Sequence, residues 1–169
     1  MRPWLRLTLI LMTVGGGFAG FAVTLQSLLN SLSAPPLNLV LTLLFTGLYA
    51  FVVSSGLWFA HDPKRTDLLL ASLAIQIPSI SYSSFAYLFT AGLVWIVNIS
   101  GPEKDNSVGV HFGWEMYFGG SWRVSIRDGN PLRIGVNLVA LTLFLLLWKV
   151  GRPSAPPASD SQGVYGASN

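Results

Sequence analysis

The sequence contains no cysteine and very few charged residues for its length of 169. Without cysteine there is no disulfide framework, no thiol catalysis and no metal site built from thiolates. Charged residues make up 10% of the chain, whereas soluble domains average about a quarter. Because 51% of the residues are hydrophobic, the composition is typical of a single integral membrane domain and indicates a lipid bilayer as its surroundings.

The common motifs of catalysis and metal binding are also absent. We find no G-x-S-x-G, H-E-x-x-H or Walker pattern. His111 and Glu115 would lie about 13 Å apart along a strand, which is too far for one metal ion. The net charge of +3 is small, and the basic residues do not form the stripe that is typical of nucleic-acid binding. We therefore expect no enzyme, no metal, no other cofactor and no nucleic-acid partner.

Four apolar segments are predicted to be transmembrane helices, since each approaches the roughly 20 residues that a bilayer crossing needs. They cover residues 7–29, 37–60, 63–80 and 132–148. A cleaved signal peptide is the alternative for the first segment, but its apolar run continues well past the usual length of a signal sequence. Gly16 and Gly20 in this segment form a small-xxx-small pair, which predicts close packing against another helix.

Polar residues within these segments are few and uncharged. No segment has an acidic or basic residue near its middle, which counts against a pump or an ion-coupled transporter. Gln76 and Asn137 are the intramembrane polar residues that we single out. We expect them to form hydrogen bonds between helices, and the alternative is that they line a transport path.

The chain beyond Pro78 allows two interpretations. Proline interrupts helical hydrogen bonding. Beyond it, seven apolar residues share one parity, namely Phe85, Tyr87, Phe89, Leu93, Trp95, Val97 and Ile99. This pattern favours a helix that ends near Ile80, followed by strands over residues 82–100. The alternative is one long, kinked helix that ends near Asn98.

Residues 106–127 show the clearest β pattern in the sequence. Apolar side chains occupy every second position on both sides of a glycine pair, namely Val108, Val110, Phe112, Trp114, Met116, Phe118, Trp122, Val124 and Ile126. Such alternation predicts strands with one apolar face. A three-residue loop, Gly119-Gly120-Ser121, would pair Phe118 with Trp122 and leave the whole apolar set on one face of a hairpin.

The two faces of this hairpin are assigned different roles. The polar face carries Glu115, Tyr117, Arg123 and Arg127, which we expect to dock a partner, with Glu115 and Arg123 close enough for a weak ion pair. We expect the aromatic-rich apolar face to pack on the other outer strands or to lie at the headgroup level. The alternative for the apolar face is a docking surface for a membrane partner or a lipid.

The placement of lysine and arginine predicts the orientation. One side of the predicted membrane domain carries Arg2, Arg6, Lys64, Arg65, Lys149 and Arg152, whereas the first loop on the other side has neither residue type. By the positive-inside rule both termini are cytoplasmic, and the β region at residues 82–127 lies outside. Residues 151–169 are rich in Pro, Ser, Gly and Ala and are expected to form a disordered cytoplasmic tail. An outer β region without disulfides suits the bacterial cytoplasmic membrane.

Together these features predict a fold and a function. The predicted fold is an α-helical integral membrane protein with four transmembrane helices and an extracytoplasmic antiparallel β-sheet or hairpin between the third and fourth. The predicted function is that of a small accessory, assembly or interaction subunit whose β region contacts a membrane protein partner or a second copy of the chain. The alternative is a small transporter or channel subunit.

Overall fold

Two long helices open the chain. The computed structural model describes residues 3–30, 35–101, 109–126 and 132–151. Helix α1 (Pro3–Ile10), a π-helical turn (Leu11–Gly15) and helix α2 (Gly16–Asn30) form one continuous helix, and α3 (Pro36–His61) follows. Both long helices are long and apolar enough to cross a membrane, judged by length and composition. The predicted disordered tail lies outside the described residues, apart from its first residue.

Two further helices are much shorter. Helix α4 (Asp67–Ala74) has 8 residues and α5 (Leu138–Gly151) has 14, so neither reaches the roughly 20 residues of a bilayer crossing. Their leucines pack against the beginning of α1 and the end of α3 in a buried cluster of Leu5, Leu9, Phe59, Leu69, Leu73, Leu143 and Leu147. The described chain thus has four helical regions, of which two have the length and composition of a membrane span.

The third and fourth helices differ from the predicted segments 63–80 and 132–148 because strands replace their outer ends. Helix α4 ends at Ala74, and Pro78 is the first residue of strand β1 (Pro78–Tyr82). Strand β4 (Arg133–Asn137) precedes α5. The physical reason is that both segments acquire β partners distant in sequence, which local apolar composition does not reveal.

The four strands form one antiparallel sheet. Strands β2 (Phe85–Ser100) and β3 (His111–Ile126) pair along their whole length. Strand β1 pairs with the beginning of β2, β4 pairs with its end, and β1 and β4 also pair with each other. The structure therefore has strands where we favoured strands over a long kinked helix.

Strand β2 is sharply bent, as its pairing requires. Across the sheet, Leu88 pairs with a residue of β1, this residue pairs with one of β4, and the β4 residue pairs with Asn98. Four neighbouring strand positions span about 14 Å, whereas the chain between these two residues would extend for about 33 Å. The bend occurs at Gly92, whose φ is 91°, opposite Gly119 of β3, whose φ is 140°. Glycine adopts such positive φ values without the steric cost that a Cβ atom imposes.

The glycine pair of β3 does not form the turn that we predicted. Strand β3 continues through the segment 119–121, and Phe118 pairs with Leu93 rather than with Trp122. The apolar residues of the segment 112–126 occupy even positions throughout, and a glycine occupies the one even position between the two apolar runs. One continuous strand therefore satisfies the apolar pattern as well as a hairpin does, and every apolar residue in this row faces an apolar or small residue of β2.

The apolar side of the sheet has two different surroundings. At one end, Phe89, Trp122 and Val124 pack on α3, and the ring of Trp122 stacks on Phe45 with the ring centroids 4.6 Å apart. The expectation that this side packs on other strands is therefore wrong for this end, because α3 covers it. The part beyond the bend, which we call the outer apolar face, is exposed and consists of Trp95, Val97, Ile99, Phe112, Trp114, Met116 and Phe118.

Candidate functional site: a polar cavity in the curved sheet

The bend gives the sheet a concave side that encloses a cavity of about 270 Å³. The lining is mainly polar and includes Ser79, Ser81, Asn98, Glu115, Tyr117, Ser121, Arg123 and Arg133. These residues alternate along their strands with the apolar rows described above. Because successive strand side chains point to opposite faces, the same alternation that builds an apolar outer surface builds a polar inner one.

Three of the four predicted docking residues line this cavity. Glu115, Tyr117 and Arg123 lie along β3 on both sides of its bend, whereas Arg127 lies outside the described residues. The expected ion pair between Glu115 and Arg123 is wrong, because these residues sit on opposite arms of one strand. The Glu115 carboxylate instead pairs with Arg133 of β4, with 3.4 Å between Oε1 and Nη1.

A chain of hydroxyl groups connects the cavity to α3. The Thr90 and Tyr117 hydroxyl oxygens lie 3.2 Å apart, and Thr90 Oγ1 also donates to the carbonyl oxygen of Ser121 at 3.2 Å. The carbonyl oxygen of Thr90 accepts a hydrogen bond of 3.0 Å from the hydroxyl of Tyr49, a fully buried residue of α3. These bonds fix the inner end of the cavity relative to the long helix.

The charges in the cavity are only partly paired. Two guanidinium groups, of Arg123 and Arg133, face one carboxylate, that of Glu115, which leaves the lining with one positive charge in excess. The guanidinium group of Arg123 makes no hydrogen bond or ion pair with any residue that the structure describes. The Glu115–Arg133 pair is about half exposed, so it contributes at most about 1 kcal/mol. The cavity therefore offers free donors to a ligand with carboxylate or carbonyl oxygens.

Gln76 and Asn137, the predicted intramembrane polar residues, join the helices to the sheet. Gln76 Nε2 donates to the carbonyl oxygen of Ser72, and its Oε1 accepts a 2.9 Å hydrogen bond from the backbone N–H of Ala91. Asn137 Oδ1 accepts hydrogen bonds from Trp95 N–H and from the first backbone N–H groups of α5. Both residues are buried and lie outside the cavity lining, so they bond helices to strands rather than helix to helix.

Helix α2 meets the bend of the sheet through glycines. A Cβ atom added to Gly16 would overlap the backbone of Gly92, and one added to Gly120 would overlap the backbone of Gly20. A Cβ atom on Gly20 would also collide with the ring of Tyr49 in α3. Gly16 and Gly20, which we expected to pack against another helix, thus face the sheet, and only Gly20 also faces a helix.

Sequence reasoning did not assign Arg133 to the site. The sequence feature that could have identified it is a short alternation of polar or small residues with β-branched ones, Arg133-Ile134-Gly135-Val136-Asn137. This pattern predicts a strand whose polar side carries Arg133. We had assigned it to the end of an apolar helix because the following residues are continuously hydrophobic.

A scan against protein-family models, a search of the curated proteins and a search of the solved structures returned no match. Within the part of the chain that the structure describes, no three His, Cys, Asp or Glu side chains lie close enough to hold a metal ion. The functional argument therefore rests on the cavity and on the arrangement of helices and strands around it.

Proposed function

We propose that this protein is a small multi-pass protein of the bacterial cytoplasmic membrane that acts as an accessory or assembly subunit. Its polar cavity opens on the extracytoplasmic side and receives part of a membrane protein partner. The observation that carries this proposal is the convergence of Glu115, Tyr117, Arg123 and Arg133 on one cavity. A concave site with a few convergent polar groups is typical of binding sites.

The short helices are compatible with four membrane crossings because each continues into a strand. The 8 residues of α4 and the 5 of β1 rise together by about 28 Å, at about 1.5 Å per helical and 3.3 Å per strand residue. By the same estimate β4 and α5 rise by about 37 Å. The hydrocarbon core of a bilayer is about 30 Å thick. The backbone groups of such crossings are paired within a helix or the sheet, as hydrocarbon requires.

The basic residues support the orientation. Arg6 donates a hydrogen bond to the carbonyl oxygen of Ala60, which places it at the end of the molecule that also carries Lys64 and Arg65. The sheet lies toward the opposite ends of α2 and α3. By the positive-inside rule the helical end is cytoplasmic and the cavity is outside. Reporter fusions after Asn106 and after Trp148 are expected to report opposite sides.

A free strand edge supports a protein partner. Strand β3 is the last strand in the sheet order, and along its outer side it makes no backbone hydrogen bond with another described residue. Unpaired edges of this length are templates for a further strand. An extended segment with acidic or carbonyl-rich side chains would satisfy both this edge and the arginines of the cavity.

Co-purification from native membranes in mild detergent tests the proposal. Arg123→Gln and Glu115→Gln are expected to abolish recovery of the partner while the protein stays folded and inserted, because exposed charges contribute at most about 1 kcal/mol to stability. Arg65→Gln is the matched control, since Arg65 is 71% exposed and pairs with Asp62 at the far end of α3. The proposal is wrong if the two cavity variants retain every partner that the parent retains.

A small transporter or channel subunit is the second candidate, and one observation favours it. The cavity lining includes Tyr117 and Ser121, and both are hydrogen-bonded to Thr90, which is in turn bonded to the middle of α3 rather than to its end. Flux of ions or small solutes into liposomes that contain the purified protein would support this candidate. An accessory subunit gives no flux above that of empty liposomes.

A further inference from the structure

The bend of the sheet contacts both long helices at their midpoints. Gly16 is the fourteenth of the 27 residues in the apolar helix Pro3–Leu29, and it packs on Gly92. Tyr49 is the fourteenth of the 26 residues in α3, and its hydroxyl donates to the carbonyl oxygen of Thr90. Where both helices cross a bilayer, as the proposed function requires, the bend lies near the bilayer centre.

From this bend the sheet rises through one half of the bilayer. The arm of β2 from Gly92 to Ser100 extends by about 26 Å, whereas half of the hydrocarbon core is about 15 Å thick. The arms rise away from α4 and α5, since those helices pack beside Phe59 whereas the sheet packs on Phe45. The first half of each arm is therefore at the depth of the acyl chains, and the remainder reaches the headgroups and the water.

We infer that the outer apolar face of the sheet is in direct contact with the acyl chains of the outer leaflet, while the inner polar face encloses water that reaches toward the bilayer centre. This inference rests on the membrane crossings of the proposed function, and it requires that the water of the recess or a strand of the partner satisfies the free edge of β3, because hydrocarbon cannot. It adds a lipid-exposed β-surface and a water-filled recess to the two long helices.

The exposure of the outer apolar face supports this placement. Trp114 is 72% exposed, Met116 63% and Phe118 62%, and they are neighbours on one strand face. Such a row is unfavourable in water, and the exposed apolar residues of the long helices, such as Phe18 and Leu44, indicate that hydrocarbon also surrounds the rest of the molecule. Hydrocarbon is therefore the simplest occupant of the whole apolar surface.

The depth of individual side chains agrees with this occupant. Trp95 lies about 10 Å from the bend and Trp114 about 16 Å, counted along the strands at about 3.3 Å per residue. The second distance falls at the boundary between hydrocarbon and headgroups, where tryptophan is enriched. Apolar residues outside and polar residues inside are also the alternation of membrane strands that face lipid on one side and water on the other.

Single cysteines provide the test, because the native chain has none. We would introduce Trp114→Cys and Met116→Cys on the outer face, Glu115→Cys and Ser121→Cys on the inner face, and Leu44→Cys on the exposed side of α3. A charged, membrane-impermeant maleimide is added to intact vesicles, and labelling is normalised to that after denaturation. We expect the two inner-face cysteines to react at least tenfold faster than the two outer-face cysteines, with the α3 cysteine unreactive.

Each other outcome overturns a specific part of the inference. Fast labelling at positions 114 and 116 with position 44 protected places the sheet in water, although the helices still cross the membrane. Labelling at position 44 as well contradicts the membrane crossings themselves and thus the proposed function. Protection at position 121 contradicts the water-filled recess.

A second measurement separates lipid from a covering protein and does not depend on cysteine variants that fold. The purified protein is reconstituted in vesicles of lipids with brominated acyl chains, and tryptophan fluorescence is compared between the parent and Trp114→Phe. We expect the bromine-quenched part of the emission to decrease when Trp114 is removed. Equal quenching in both proteins means that acyl chains do not reach Trp114, and the inference is then wrong.

Discussion

The contact between Gly16 and Gly92 makes a quantitative prediction about stability. Alanine at position 16 would place a methyl group against the backbone of Gly92 and Ala91, which has no flexible atoms that could move aside. We therefore expect Gly16→Ala to force the first long helix away from the bend of the sheet. The matched control is Gly47→Ala in α3, because nothing lies within 4 Å of a Cβ atom there.

The two substitutions should have opposite effects. Replacing glycine by alanine within a helix stabilises it by about 1 kcal/mol through propensity. At position 47 this gain stands alone and should raise Tm by about 2–4 °C for a chain of this size. At position 16 overpacking costs up to about 3 kcal/mol, so the net change is a loss of about 2 kcal/mol. The expected decrease in Tm is about 4–8 °C.

Thermal unfolding of the purified variants in one detergent measures both changes. Gly20→Ala serves as an intermediate case, because its methyl group would meet the side-chain ring of Tyr49 rather than backbone atoms of the sheet. The reasoning is refuted if Gly16→Ala raises Tm by as much as Gly47→Ala does. That result would mean that the first long helix does not pack on the bend.

Two further predictions concern side chains at the helix–sheet contact. Trp122→Ala should lower the free energy of unfolding by about 3 kcal/mol because its ring stacks on α3, whereas Trp114→Ala should cost less than about 1 kcal/mol because the side chain is 72% exposed; equal losses in denaturant unfolding would contradict this assignment. Tyr49→Phe should cost about 1–3 kcal/mol because it leaves the buried carbonyl group of Thr90 without its side-chain donor, and an unchanged midpoint in the same assay would show that the hydrogen bond is absent.

Alternation along the chain was enough to predict much of the sheet and its polar face. Parity is a local property, so it correctly grouped Glu115, Tyr117 and Arg123 on the side opposite the apolar row. It also favoured strands over a helix beyond Pro78. The position of the turn was wrong because a glycine in the apolar row is compatible with either a loop or a continuous strand. The positive φ of Gly119 is used for a bend instead.

The parts that sequence reasoning missed depend on contacts between distant segments. Pro78 pairs with Val136, and Arg133 with Glu115, and no local pattern reports either contact. The same holds for the glycines of α2, since a small-xxx-small pair indicates a close approach without naming the element that approaches. The lengths of α4 and α5 were overestimated because the strands that adjoin them are as apolar as the helices, so composition does not mark the boundary.

Site-specific photocrosslinking from inside the cavity tests the central claim most directly. A photoreactive phenylalanine derivative replaces Leu88, which lines the cavity, and in a control it replaces Leu57, which is exposed on α3. The account predicts one discrete adduct with a membrane protein from position 88, none from position 57, and loss of the adduct when Arg123→Gln and Arg133→Gln are combined. An absent adduct at position 88, or one that persists without both arginines, would contradict a cavity that binds a partner.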